Sequence, residues 1–348
     1  MSALLYGATG YTGRLITRIA AQYNLRPILA GRNAAGVGSA AAKHGLDHRV
    51  FSLDDPARIR ASLDGVDAVL HCAGPFSKTS RAMADACIAR GIHYIDITGE
   101  IEVFEALAMR DAEARAAGVM LLPGAGFDVV PSDCLSAYLK QQLPSATRLM
   151  LGILGTGGLS RGTIGTMIEH MDRGGRVRRE GRILPVPAAW KTRQIDFGRG
   201  PRPAVTIPWG DVSTAWYSTR IPNIEVYAAA SGAQLRMMKL ASRFDFITRA
   251  RWFKQVAQRI VRARIYGPSE ETMKHAISCV WGRVEDDDGR SAEARITGPE
   301  GYLLTAHSAL IILQRVLSGD VHPGFQTPSL AFGHDLVLSI PGTTRIDL

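Results

Sequence analysis

A chain of 348 residues is too long for one ordinary hydrophobic core, and two domains of about 100–200 residues each are the natural division. Apolar residues at 46% and charged residues at 21% describe a globular protein and exclude a disordered one. The net charge of +9 favours anionic partners such as dinucleotide phosphates, acyl carriers or lipid headgroups. No recognised nucleic-acid-binding motif accompanies that charge, so no nucleic-acid partner is expected.

From the N-terminus, short apolar runs alternate with helical patterns over the first 125 residues. The pattern predicts strands over 3–6, 27–30, 49–53, 68–72, 93–97 and 119–122, with helices over 14–23, 34–44, 56–63, 80–90 and 101–117. Alternation of this kind implies an α/β fold, a Rossmann-type doubly wound parallel sheet. After Pro131 the rhythm changes. Residues 204–207, 212–217 and 224–228 suggest antiparallel strands, and 276–285 with 290–297 reads as a hairpin around Asp286-Asp287-Asp288-Gly289. An amphipathic helix is expected over 300–318, followed by a short irregular tail. The expected organisation is a nucleotide-binding domain over 1–130, a second, mixed α+β substrate domain over 131–318, and a C-terminal return over 319–348 packing on the first domain.

With six residues ahead of Gly7 no signal peptide is expected, and no apolar run reaches the ~18 residues of a membrane span. Cys72, Cys87, Cys134 and Cys279 lie far apart without a metal-ligand spacing. A reduced, cytoplasmic protein without bound metal is the expectation. The basic segment 236–264 carries Trp252, Phe253, Val256 and Ile260 at helical spacing. It reads first as a helix covering a core, with peripheral contact to an anionic membrane or a docking face as the alternatives. Oligomeric state stays open.

Gly7-Ala8-Thr9-Gly10-Tyr11-Thr12-Gly13 follows an apolar strand and opens a helix, the context that gives a glycine triplet meaning. Gly7 allows the tight turn, Gly10 lets backbone approach a pyrophosphate, and Gly13 lets the helix pack close to the sheet. Free N–H groups at the helix start then face the phosphates. At the end of the second strand, where an NAD site usually has an acid, stands Ala30-Gly31-Arg32-Asn33. A guanidinium there pairs with a 2′-phosphate, so NADP(H) is the expected cofactor. Leu53 and Asp54 fall where adenine is flanked, and Ala73, Gly74, Pro75, Phe76 and Thr98 fall on the ribose and nicotinamide side.

Asp128 follows the sixth strand and is the leading catalytic candidate, as an acid or a nicotinamide or substrate contact; a loop or helix-capping role is the equal alternative. Phe127, Ser160, Arg161 and Thr163 are the candidate substrate contacts, because a Ser-Arg-Gly-Thr helix start suits an anion. Glu100 in Thr98-Gly99-Glu100 reads as a helix-dipole or capping residue. Cys134 stands in an apolar run without a histidine cue and reads as core rather than nucleophile. No tyrosine is followed by lysine four residues on, which removes the short-chain dehydrogenase arrangement.

Several longer stretches are specific. Cys72-Ala73-Gly74-Pro75-Phe76, Gly91-Ile92-His93-Tyr94-Ile95-Asp96-Ile97-Thr98-Gly99-Glu100 and Leu122-Pro123-Gly124-Ala125-Gly126-Phe127-Asp128 resemble the saccharopine dehydrogenase-like oxidoreductases. Pro131-Ser132-Asp133, Ser160-Arg161-Gly162-Thr163, Gly298-Pro299-Glu300, Thr305-Ala306, Thr327-Pro328 and Ala331-Phe332-Gly333 continue the likeness. Within that family the chain looks most like the bacterial branch with trans-acting enoyl reductases. The resemblance implies an NADP(H)-dependent oxidoreductase acting on a small-molecule or acyl-carrier-bound substrate. Reduction of a polarised double bond (enoyl, imine or carbonyl) is the first expectation. A saccharopine dehydrogenase-type amino-acid oxidoreductase, or a non-catalytic NADP(H) sensor at the membrane periphery, are the alternatives. Cys134 departs from the aliphatic residue more usual in relatives.

Overall fold

The computed structural model describes residues 1–158, 174–232 and 270–348, which divide into two units. The first comprises Met1–Val130 and Tyr302–Pro341, the second Pro131–Gly301 and Gly342–Leu348.

In the first unit, strands β1 (Ala3–Tyr6), β2 (Ile28–Gly31), β3 (His48–Val50), β4 (Ala68–His71), β5 (His93–Asp96) and β6 (Met120–Leu122) are all parallel. They alternate with helices α1 (Tyr11–Ile19), α2 (Ala34–His44), α3 (Pro56–Ala61), α4 (Phe76–Arg90), α5 (Ile101–Ala108) and α6 (Asp111–Ala116). The order β6-β5-β4-β1-β2-β3 is the doubly wound arrangement, with its direction reversing between β1 and β4. Leu4, Leu5, Leu29, Val69, Leu70 and Ile95 are fully buried, as strands covered on both faces require. Two predicted helices change shape. The one expected from residue 80 starts at Phe76, because the Glu100 carboxylate accepts from the Phe76 and Ser77 amides and so caps an additional turn. The one expected over 101–117 breaks at Met109–Arg110, where the Arg110 side chain ties Asp85 to Glu113.

The second unit begins with α7 (Val130–Gln142) and carries β7 (Arg148–Gly155), β8 (Gly175–Arg179), β9 (Arg182–Val186), β10 (Thr192–Asp196) and β11 (Pro201–Thr206). There follow α8 (Asp211–Thr219), β12 (Asn223–Ala229), α9 (Glu270–His275), β13 (Ile277–Glu285) and β14 (Ser291–Pro299). The chain closes with α10 (Gly301–Leu317), β15 (Gly324–Phe325), α11 (Pro328–Phe332) and β16 (Thr344–Asp347). The main path of the second sheet runs β10-β11-β12-β7-β13-β14-β16; β7 and β12 are parallel and the other neighbours antiparallel. The β13–β14 hairpin turns at Asp286–Gly289 as its Asp-Gly pair predicts. Helix α7 packs closely on β13, where a side chain at Gly282 would meet Leu139 at 2.7 Å.

Three expectations are corrected. Residues 212–217 are helical, not a strand. Their β-branched Val212 and Thr214 imitate a strand pattern, but Asp211 in the first turn and five consecutive buried residues suit a packed helix. Helix α10 from Tyr302 onward belongs with the first unit rather than with a domain over 131–318, because its hydroxyls bond the loop after β6. The tail is not irregular: β15 extends the first sheet beside β6, and β16 pairs with β14 in the second.

Candidate functional site

Ligands of open α/β sheets collect beyond the carboxyl ends of the strands, where strand order reverses. In the first unit that place is the turn after β1. Gly7 leaves the strand at φ +90, and a Cβ there would lie 2.8 Å from the Cys72 carbonyl carbon and 2.9 Å from the Ala73 nitrogen. The Gly7 and Ala8 amides donate to the Ala30 carbonyl, at 2.8 and 3.2 Å, which fixes the turn against β2. Gly13 is packed as tightly: its Cβ would fall 2.3 Å from the Gly7 carbonyl oxygen. Gly10 differs. It is exposed, and a Cβ would meet nothing closer than 3.2 Å. Gly7 and Gly13 are glycine for the fold, whereas Gly10 keeps a surface open.

Helix α1 also starts differently from its neighbours. Helices α2, α3 and α4 are capped by Asn33, Asp55 and Glu100. Helices α5 and α6 carry acids in their first turns. Only α1 among these six has neither, with Gly10 at the N-cap, so its positive dipole end is left for an external anion. Thr9 lies beside α2, its methyl 3.2 Å from the Cβ position of Gly36. Ala8 is buried, while Tyr11 and Thr12 are half-buried at the helix start. The Tyr11 ring meets Tyr302 edge to face at 4.8 Å.

Arg32 follows β2 directly and is exposed. Its charge and that of Asp54 both act on the Tyr6 hydroxyl, which places all three at one edge of the sheet. The Tyr6 hydroxyl donates to the Phe51 carbonyl, and burial raises its pKa. Leu53 is half-buried and Asp54 exposed, the latter accepting a 2.5 Å hydrogen bond from Ser52.

Beyond β4, Ala73 and Pro75 are half-buried, Gly74 is exposed, and Phe76 packs inward against the His71 ring at 5.4 Å. Burial drives the His71 pKa down to about 3, so the imidazole is neutral, with Nε2 bonded to Thr79. Asp96 ends β5 fully buried. It accepts from the Tyr94 hydroxyl at 2.7 Å and from the Thr98 and Gly124 amides at 2.9 and 3.1 Å. Burial raises its pKa to about 7 against these bonds. Thr98 is fully buried too, its hydroxyl accepting from the Glu100 amide. That placement makes Thr98 a support of the strand end. The Glu100 carboxylate caps α4, across the sheet edge, and not the helix that follows it in sequence.

Asp128 is brought directly over Gly99: a Cβ on Gly99 would lie 2.6 Å from Asp128 Oδ2. Burial raises the Asp128 pKa to about 6. The loop carrying it is held from α10. The Phe127 amide donates to Thr305 Oγ1 at 2.9 Å, and Ser308 Oγ donates to the Ala125 carbonyl at 2.7 Å. Thr305, Ser308 and Gly99 had no assigned role in the sequence reading. The one available signal was the glycine of Thr98-Gly99-Glu100, which leaves room for a close side chain. Ser160, Arg161, Thr163 and the segment 236–264 lie outside the described residues. Cys134 is fully buried within α7. His93 accepts from the Met120 amide, and His307 bonds the Tyr23 hydroxyl. Among the described residues no helix is long and apolar enough to cross a membrane.

A glycine turn open at Gly10, an uncapped helix start and a guanidinium in place of the usual acid fit a phosphate-bearing dinucleotide. The comparisons with known proteins agree. Residues 3–122 match the family described as the saccharopine dehydrogenase NADP-binding domain. The chain is 30% identical over 143 residues to a trans-acting enoyl reductase of Mycobacterium leprae, covering 39% of this chain and 34% of that protein. It is 25% identical over 160 residues to the human saccharopine dehydrogenase-like oxidoreductase, covering 40% and 37%. These matches span little more than a third of the length of either relative. In structure, the apo saccharopine dehydrogenase (L-Glu forming) of Saccharomyces cerevisiae aligns over 100% of this chain and 99% of that one, with TM-score 0.68 at 11% identity. That likeness shows a shared fold. Residues 3–122 thus match the saccharopine dehydrogenase NADP-binding domain, and over that part the chain is similar to trans-acting enoyl reductases and saccharopine dehydrogenase-like oxidoreductases.

Proposed function

We propose that the protein is an NADPH-dependent oxidoreductase that reduces a polarised double bond in an apolar or carrier-bound substrate. The observation that carries this reading is Asp128, a carboxyl seated over Gly99 at the nucleotide edge of the sheet, with its pKa raised to about 6 by burial. Near neutral pH such a group is protonated on the order of a tenth of the time and exchanges its proton readily, as a general acid must. Gly7, Ala8, Thr9, Gly10, Tyr11 and Thr12 hold the phosphates and Arg32 the 2′-phosphate. Leu53 and Asp54 border the adenine, and Ala73 to Phe76 border the ribose and nicotinamide. Bound NADPH supplies the hydride, while Asp128 donates the proton that completes the reduction. The names of the curated relatives support the reaction class.

The test is NADPH oxidation against enoyl thioesters, imines, ketones, and a keto acid supplied with an amino acid. Turnover on an enoyl thioester or carbonyl supports the reading. Turnover confined to the keto acid and amine would replace it with an amino-acid oxidoreductase. Asp128→Asn should lower kcat by about 100-fold or more with NADPH affinity unchanged. Full turnover in that variant removes Asp128 from the acid role.

A further inference from the structure

Within the second unit lies a cavity of about 400 Å³ that uses none of the residues assigned to the nucleotide. Its floor is the face of the sheet carrying Met150, Glu225 and Tyr227, where Glu225 is registered beside Met150. Its wall is the start of β10. That strand curls over the sheet, because a Cβ on Gly152 would lie 2.9 Å from Ile195 Cδ1. The curl carries Lys191 and Arg193 into the lining, opposite Arg148 at the start of β7 and Arg179 at the end of β8.

The charges in this cavity do not balance. Among the described residues Glu225 is its one carboxylate, and it accepts from Lys191 at 2.7 Å, from Arg179 and from the Tyr227 hydroxyl. Burial would raise the Glu225 pKa, but these donors outweigh it and hold the carboxyl below its ordinary value. Among the described residues Arg148 pairs with Asp287, at 3.2 Å and on the exposed side. Arg193 is the telling group. Its Nη1 rests on the Met150 thioether at 2.9 Å, and among the described residues no carboxylate pairs with it. A thioether is a weak acceptor for a guanidinium fork that is built to grip an oxyanion at two points. Four cationic linings against one carboxylate leave a surplus of three positive charges.

We infer that this cavity binds the phosphate group of a small phosphate ester, with Arg193 as the principal donor and Arg148 and Lys191 completing the contacts. A phosphate dianion offsets most of the surplus and accepts bidentate hydrogen bonds from the fork. The volume exceeds one phosphate, so the ester's organic part lies over Met150 and Tyr227, which belong to the apolar cluster on this face of the sheet.

The test is titration calorimetry on the full chain saturated with NADP⁺, so that the nucleotide site is already filled. The probes are inorganic phosphate and phenyl phosphate. One equivalent should bind, with phenyl phosphate tighter by about fivefold or more, because its ring removes apolar surface from water. Arg193→Gln should weaken phenyl phosphate by about tenfold or more, the worth of a charge-assisted hydrogen bond. Lys191→Gln, at an exposed position, should weaken it by about threefold or more and serves if the first variant misfolds. Absence of heat, equal affinity for the two probes, or an affinity indifferent to both substitutions overturns the inference.

Discussion

The three glycines of the first turn separate what the fold needs from what the ligand needs. At Gly13 an added Cβ would sit 2.3 Å from the Gly7 carbonyl oxygen and 2.9 Å from Ala8 Cα. Both are backbone atoms, so α1 must move away from the sheet. Overpacking of that kind costs about 1–3 kcal/mol or more, against roughly 1 kcal/mol gained by placing Ala in a helix interior. A 2.3 Å approach to backbone puts the cost at the upper end of that range, so Gly13→Ala should lose about 2 kcal/mol and melt several degrees lower. At Gly10 the backbone lies at φ −71 and ψ 169, which alanine adopts freely, and the nearest atom is 3.2 Å away. Gly10→Ala should cost about 0.5–1 kcal/mol in the apo protein, because the Gly7 carbonyl oxygen must give slightly and alanine is a poorer N-cap than glycine. Its methyl group nevertheless occupies the surface where the pyrophosphate must approach, and NADPH affinity should fall by about tenfold or more, that is about 1.4 kcal/mol. Apo melting curves and NADPH calorimetry on both variants read the two effects separately. Wild-type affinity in Gly10→Ala would refute the assignment of this turn to phosphate, and an unchanged melt in Gly13→Ala would refute the packing argument.

Other perturbations follow from the same geometry. Arg32→Ala should raise the Kd for NADPH by about 10- to 100-fold and leave NADH within about twofold, the worth of a charge-assisted contact; equal discrimination before and after would deny Arg32 its 2′-phosphate. Glu100→Ala removes the acceptor of the Phe76 and Ser77 amides and should destabilise by about 2–4 kcal/mol, read by urea unfolding, with a loss below 0.5 kcal/mol counting against the cap. Asp96→Ala leaves the buried Thr98 and Gly124 amides without their acceptor and should cost about 3 kcal/mol or more. The raised pKa of Asp128 means the folded state holds that proton more tightly than the unfolded chain. Its contribution to stability is therefore greatest below the ordinary carboxylate range, declines as pH rises from about 4 to about 6, and is flat above. Asp128→Asn should make the decline between pH 4 and 6 shallower, leaving the share of Asp96, whose pKa is also raised; an unchanged profile would place the titration elsewhere.

Much of the first unit was legible because local rules and the global fold agree there. Apolar runs covered on both faces announce parallel strands, while Gly13 is demanded by backbone of its own turn and Gly7 by the end of β4. Arg32 could be placed because it directly follows β2, where an NAD site usually has an acid. Glu100 was legible as a cap but not as the cap of α4, since the pairing of a strand end with the start of an earlier helix is set by sheet order. The full burial of Thr98 escaped the sequence for a related reason. Alternation along the strand says which residues face the helices, but not where the strand end dips beneath its neighbours.

The second unit and the tail obey less local rules. Val212 and Thr214 favour extended backbone by propensity, and only tertiary burial makes them helical. Likewise, no pattern in residues 319–348 tells that β15 joins one sheet and β16 the other, because both are short edge strands whose partners are chosen by the surfaces already built. The loop of Asp128 shows the functional consequence. Phe127 and Thr305 stand 178 residues apart, yet their hydrogen bond, with that of Ser308 to Ala125, sets where the candidate acid lies. A motif at the end of β6 can supply the carboxyl, and the returning helix joins Asp96 in fixing the loop that carries it. Thr305→Val should therefore act through Asp128, shifting the pH dependence of turnover while leaving the apparent affinity for NADPH unaltered.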